Sequence, residues 1–173
     1  MGNDQLIVNI RHVNYTLYHS ENKKFQHRYG PLQYLHPEND HNLRTWNFYC
    51  TLNDDLTLKQ ITTIDTSKLD VPPIWEFVGL EDGRLFRWNN KVYISGVRRD
   101  TTTNGQGRME LSELSIKTNQ VREVKRTRIP APGDNATYCE KNWMPIIDQP
   151  FHYVKWSNPT EVVKFNPTDG TTV

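Results

Sequence analysis

The chain lacks what a polypeptide needs to cross a bilayer or to staple itself together. No run approaches the roughly 18 consecutive apolar residues that span a membrane, and only 35% of the 173 residues are hydrophobic. Two cysteines, Cys50 and Cys139, are too few for a disulfide framework. The opening residues Met1-Gly2-Asn3-Asp4-Gln5 carry neither the basic nor the apolar region of a secretory leader. These absences predict a cytoplasmic protein with no membrane partner. An excess of one charge is missing as well. The 21 Lys and Arg stand against 20 Asp and Glu, and a net charge of +1 gives no electrostatic reason to expect nucleic acid. His27, His36 and His41 share a polar stretch with Glu38 and Asp40, yet their spacing fits no compact metal motif, so neither a metal nor a cofactor is expected.

What the sequence does hold is strand signal. Leu6, Val8 and Ile10 alternate with polar residues, then Val13, Tyr15 and Leu17 alternate in the opposite phase, which predicts a bulge or break around Arg11-His12. Trp46, Phe48, Cys50 and Leu52 alternate strictly up to a turn at Asn53-Asp54-Asp55, and Leu56, Leu58 and Ile61 continue beyond it as a hairpin. Trp46 reads as a core residue of that sheet. Asn89-Asn90 is a two-residue hairpin turn between Leu85–Trp88 and Val92–Ser95, since asparagine tolerates the positive φ such turns require. Two further strands follow, Met109–Ile116 and Val121–Ile129, with a turn at Lys117-Thr118-Asn119 between them. Four antiparallel strands in about 45 residues have the size of one propeller blade.

A polar cluster recurs about every 60 to 70 residues, beside or within these strands: Arg11-His12-Val13-Asn14-Tyr15, Gly79-Leu80-Glu81-Asp82-Gly83-Arg84 and Cys139-Glu140-Lys141-Asn142-Trp143. Radially stacked sheets would bring all three clusters to one axis. The expectation is therefore a single all-β domain, a β-propeller present as about three blades near 5–66, 75–129 and 137–173. Closed propellers have at least four blades, so the remaining ones would come from a longer chain or a second copy.

Two of these clusters carry a resemblance. Gly79-Leu80-Glu81-Asp82-Gly83-Arg84-Leu85 resembles the Gly-x-Glu-Asp-Pro-Arg signature of the mannoside phosphorylases and β-mannosidases of glycoside hydrolase family 130, with Gly83 in the place of proline. Glu140-Lys141-Asn142-Trp143-Met144-Pro145 resembles the Lys-Asn-x-x-x-Phe-Pro region of that group, and more closely propeller domains attached to glycosyltransferases. The resemblance implies a five-bladed propeller, Asp82 as the acid that protonates a glycosidic oxygen, and Arg84 as a holder of carboxylate or sugar hydroxyls. It implies an oligosaccharide or glycan as partner. Inorganic phosphate would be a co-substrate if the protein is a phosphorylase, with Arg98, Arg99 and Lys141 as the available cations.

The residues themselves ask for similar chemistry. Glycoside cleavage uses two carboxyl groups, and Asp82 with Glu140 are the catalytic candidates. Arg11, Asn14, Glu81, Arg84, Arg98, Arg99, Lys141, Asn142 and Trp143 are the candidates for binding substrate. Glu81 is expected to point away from Asp82, because neighbours in a strand face opposite sides. Three arrangements would separate the functions. Two carboxyls about 6.5 to 9.5 Å apart in one pocket mean an inverting hydrolase, cations converging beside Asp82 mean a phosphorylase, and carboxylates closed in ion pairs mean a binding module without chemistry.

Overall fold

The computed structural model describes residues 5–17, 25–27, 30–34, 42–133 and 137–173, and among the described residues every regular element is a strand. In chain order these are β1 (Ile7–Val13), β2 (Tyr15–Leu17), β3 (Phe25–His27), β4 (Gly30–Tyr34), β5 (Leu43–Leu52), β6 (Leu58–Asp65), β7 (Phe77–Val78), β8 (Glu81–Trp88), β9 (Lys91–Arg98), β10 (Arg108–Lys117), β11 (Gln120–Arg128), β12 (Met144–Pro145), β13 (His152–Ser157) and β14 (Thr160–Lys164). The all-β class is what the alternation called for. His36 and His41, with Glu38 and Asp40, lie outside the described residues.

The main sheet runs β1-β5-β6-β11-β10-β9-β8, with β7 beside β5. Along this path only the β6–β11 junction is parallel, and it is short: Ile64 and Asp65 pair with Val121 and Arg122. Two of the three units expected from the sequence are thereby joined into one sheet. The sheet then returns on itself, because Asn9 of β1 donates to the Gly83 carbonyl of β8 at 2.9 Å. The result is a nearly closed, barrel-like wall. Tyr49, Ile64, Leu80, Ile94, Leu114 and Val121 pack inside it.

Turn chemistry sets the registers. Asn89 and Asn90 have φ of 48° and 61°, which closes β8 on β9 with Trp88 opposite Lys91. Asn119, at φ 60°, turns β10 into β11. Gly96 allows the closest approach between β9 and β8: a Cβ there would stand 2.3 Å from the Glu81 carbonyl oxygen.

A second sheet, β12-β13-β14, covers the outside of the β8–β10 flank. Phe86, Trp88, Tyr93, Met109 and Leu111 meet Trp143, Tyr153, Val163 and Phe165 across this layer. Each such side chain contributes on the order of 1.5–3 kcal/mol by leaving water, and the Trp88 indole N–H is satisfied by the Ile146 carbonyl at 2.9 Å. A small third sheet, β2-β4-β3, follows β1.

Strand β5 departs from its sequence reading. Its buried side is Leu43, Thr45, Asn47 and Tyr49, whereas Trp46 is 37% exposed. Polar residues face inward because they are needed there: the Asn47 amide donates to the Leu80 carbonyl and accepts from Asn9. Trp46 is thus on the outer face, its ring tilted against His12 at 5.4 Å.

Candidate functional site

The break between β1 and β2 falls at Asn14, two residues beyond the expected position. Asn14 is fully buried, donating to the Asn42 carbonyl and accepting from the Arg44 N–H at 2.7 Å. Its amide fixes the turn of the chain and is spent on backbone. Three residues earlier, Arg11 projects from β1 toward β8 and becomes the centre of a polar cluster.

Arg11 donates to the Asp82 carboxylate at 2.7 Å, and its other terminal nitrogen lies 3.3 Å from both the Tyr15 hydroxyl and Thr45 Oγ1. That same nitrogen is 3.8 Å from Glu81. Glu81 and Asp82 therefore face one guanidinium, contrary to the opposite-side expectation. The cause is local. Asp82 has φ 53° and the β8–β9 register shifts between Glu81 and Arg84, a bulge that re-aims one carboxylate. Gly83 is part of this device, since a Cβ there would meet Ile94 at 2.8 Å and Asn47 at 3.1 Å. Arg84 lies over the bulge, 3.4 Å from the Asp82 carbonyl.

Arg99 approaches Glu81 from the other side at 3.6 Å. It is held by the Gly105 carbonyl, by Cys139 Sγ at 3.0 Å and between the rings of Phe77 and Tyr138. Arg98, one residue earlier, faces the interior instead, as alternation requires. There it is bound to Glu110 at 2.8 Å and Asp100 at 3.2 Å. Arg126 bridges Glu123 and Asp70 in the same interior network, and Ser112 donates to Glu123. Arg98 and Arg99 thus serve different places.

The segment 139–142 divides in the same way. Cys139 reaches Arg99, and the charge of exposed Lys141 is felt by the Glu81 carboxyl. Glu140 points into the core, 4% exposed, where it accepts from Thr137 at 2.7 Å and from the Trp143 indole at 3.2 Å and pairs with Lys155 at 3.4 Å. Trp143 is 0% exposed within the inter-sheet core and offers no ring face to a ligand. Asn142, at φ 64°, forms the turn between them.

Arg11, Glu81, Asp82, Arg84 and Arg99 are accordingly gathered around the bulge, with the Lys141 charge reaching Glu81, while Asn14, Arg98, Glu140 and Trp143 are occupied elsewhere. Tyr15, Thr45 and Cys139 join the cluster without having been singled out; Tyr15 was legible in the first polar cluster, whereas Thr45 carried no signal. Burial raises the Glu81 carboxyl above its ordinary value, against the lowering pull of Arg99 and Arg11. Burial likewise raises the Tyr15 phenol. Asp82 remains substantially exposed, its side chain 40% accessible. The arrangement can accept and donate hydrogen bonds over a short stretch of surface, with alternating charge and planar guanidinium forks suited to vicinal hydroxyls or an oxyanion. Among the described residues no group of His, Cys, Asp and Glu could hold a metal ion. Comparison of the chain with family models, curated proteins and solved structures finds no match.

Proposed function

We propose that this protein is a carbohydrate-binding module that recognises a β-linked glycan at the Arg11–Glu81–Asp82–Arg99 cluster and has no glycosidase chemistry of its own. The observation that carries this reading is the state of the two catalytic candidates. Glu140 is enclosed by Thr137, Trp143 and Lys155, and Asp82 is ion-paired with Arg11. Neither is placed to activate water against the other. What stays accessible is a set of donors and acceptors, Asp82 and Arg84 on the bulge, and Lys141 is exposed as well. The resemblance of Gly79–Leu85 to the mannoside-active family makes β-mannosides the first substrate class to try. In this reading the packets β1-β5-β6, β8–β11 and β12–β14 are three blades of a partial propeller, bridged by the two-residue β6–β11 contact.

A second reading has one observation in its favour. Arg11 pairs with both the Glu81 and Asp82 carboxylates, Arg99 approaches Glu81, and the Lys141 charge reaches Glu81, the kind of cation set a phosphorylase needs for inorganic phosphate, with Asp82 as its acid.

Calorimetric titration with β-linked mannobiose and mannotriose, with reducing-sugar and sugar 1-phosphate assays run in parallel, separates the two. The binding reading predicts saturable binding that Asp82→Asn weakens by at least about tenfold, roughly 1.4 kcal/mol, and no product with or without phosphate. Product formed by the wild type and lost in Asp82→Asn would establish the enzyme instead. Absence of both binding and product would remove these mannosides from the account.

A further inference from the structure

Ile64, Leu80 and Ile94 belong to the apolar packing inside the barrel-like sheet, and they also line a cavity of about 260 Å³. Charged side chains complete its wall. Arg44, Arg98 and Arg126 line it together with Asp70, Asp100 and Glu123, three cations against three anions. The segment 66–73, between β6 and β7, brings Asp70, Val71 and Pro73 onto the cavity. Arg126 fastens that segment, donating to the Leu69 carbonyl at 2.9 Å and to the Asp70 carboxylate at 2.8 Å. Of the described residues gathered around the β8 bulge, Thr45 alone also lines this cavity.

Asp100 is the residue that this packing leaves incomplete. It opens the connection from β9 to β10 and is 5% exposed. Its Oδ2 accepts from the Gly79 N–H at 2.8 Å and from Arg98 at 3.2 Å. Its Oδ1 is also buried and has no donor among the described residues. A carboxylate oxygen withdrawn from water is costly unless something donates to it. Thr101 Oγ1, on the next residue and also on the lining, is likewise buried without a partner. An acceptor and a hydroxyl thus stand on adjacent residues of one cavity wall, with no described protein group to satisfy either.

We propose that this cavity is a second binding site, for a single uncharged polyhydroxylated ring such as a monosaccharide or a cyclitol. The lining selects that class. Asp100 Oδ1 calls for a donor and Thr101 Oγ1 for a group that can donate or accept, which adjacent hydroxyls supply together. A cation would gain Asp100 but would meet Arg98 on the same carboxylate. An anion would find Arg98 already shared between Glu110 and Asp100, and Arg126 between Glu123 and Asp70. The C–H face of a sugar or cyclitol ring suits Ile64, Leu80 and Ile94. The volume lies just below the roughly 300–1,000 Å³ of pockets that take drug-sized ligands, which suits one ring rather than an oligosaccharide. The site does not rest on the glycan reading of the Arg11–Asp82 cluster.

NMR of the methyl and backbone amide signals during titration with D-mannose, D-glucose and myo-inositol tests this, with choline and inorganic phosphate as charged probes. At least one of the three polyols is expected to bind saturably and to shift the Ile94 and Leu80 methyls and the Gly79 amide, and neither charged probe should do so. Asp100→Asn should weaken that binding by about tenfold or more, because hydrogen bonds to a charged group are the stronger ones. Asp100 also holds Gly79 and Arg98, so Thr101→Val supplies a variant that keeps the fold. Its hydroxyl has no described protein partner, so the thermal midpoint should not fall, while polyol affinity should drop at least about threefold. Saturable binding of none of the three polyols would overturn the proposal. So would shifts that bypass Ile94, Leu80 and Gly79, preferential binding of choline or phosphate, or a polyol affinity that Thr101→Val leaves unchanged. Mannotriose binding at the Arg11–Asp82 cluster should be the same in Thr101→Val as in wild type, which keeps the two sites distinguishable.

Discussion

Arg11 is where the candidate site begins and where its energetics are most exposed to test. Its guanidinium faces Asp82, Glu81, Tyr15 and Thr45, so charge and geometry there are coupled. Glu81 gives a pH signature. Because burial raises its folded-state value above the unfolded one, the folded protein keeps the Glu81 proton to higher pH, and the associated stability is lost as pH rises through the raised value. Urea denaturation across the pH range just above the ordinary glutamate value should therefore show wild type losing stability relative to Glu81→Gln as pH increases. A difference that is flat with pH, or that grows in the other direction, would mean Glu81 is not desolvated. Gly96 supplies a packing test. Gly96→Ala should cost at least about 2 kcal/mol, because overpacked sites must displace their neighbours and the neighbour here is the Glu81 backbone carbonyl. An unchanged denaturation midpoint would contradict the close β8–β9 approach. At this scale the polar clusters in the sequence held both partners of the Arg11–Asp82 pair. The joint facing of Glu81 and Asp82 was hidden, because alternation assumes an extended strand and cannot foresee a left-handed residue at 82.

Among the elements, hairpins were the legible part. Asn89-Asn90, and Asn119 in the Lys117-Thr118-Asn119 turn, announce their turns as residues that tolerate positive φ, and β8 to β11 follow in the expected order. Strand β5 was legible as a strand and misleading as to its sides. Hydrophobicity pointed Trp46 inward, but the interior next to β8 is polar, and Asn47 is held there by bonds to partners 33 and 38 residues away in sequence. Long-range pairing of that kind leaves no local trace. The segment 139–143 shows the same limit. Glu140 looked like a site carboxylate, yet it is the acceptor that seats Trp143 and Lys155 between the two sheets. Lys155→Met should consequently destabilise the protein by about 3 kcal/mol, since a buried carboxylate loses its countercharge. Adding Glu140→Gln to that variant should recover most of the loss. If Lys155→Met is neutral in chemical denaturation, Glu140 is not held as described.

Across the whole molecule, β1 returns beside β8, where the Asn9–Gly83 and Arg11–Asp82 bonds bring polar groups together. The all-β class followed from alternation. The joining of β6 to β11 did not, because a two-residue parallel contact between distant strands has no sequence signature. The account rests on the claim that β1, the β8 bulge and the 139–141 segment build one glycan-binding surface. Side-chain NMR of the arginine Nε–H groups during titration with mannotriose tests it most directly. The account predicts saturable shifts of the Arg11 and Arg99 signals with a common affinity, while the interior Arg98 and Arg126 signals stay in place. Saturable binding that leaves Arg11 and Arg99 unmoved would contradict it.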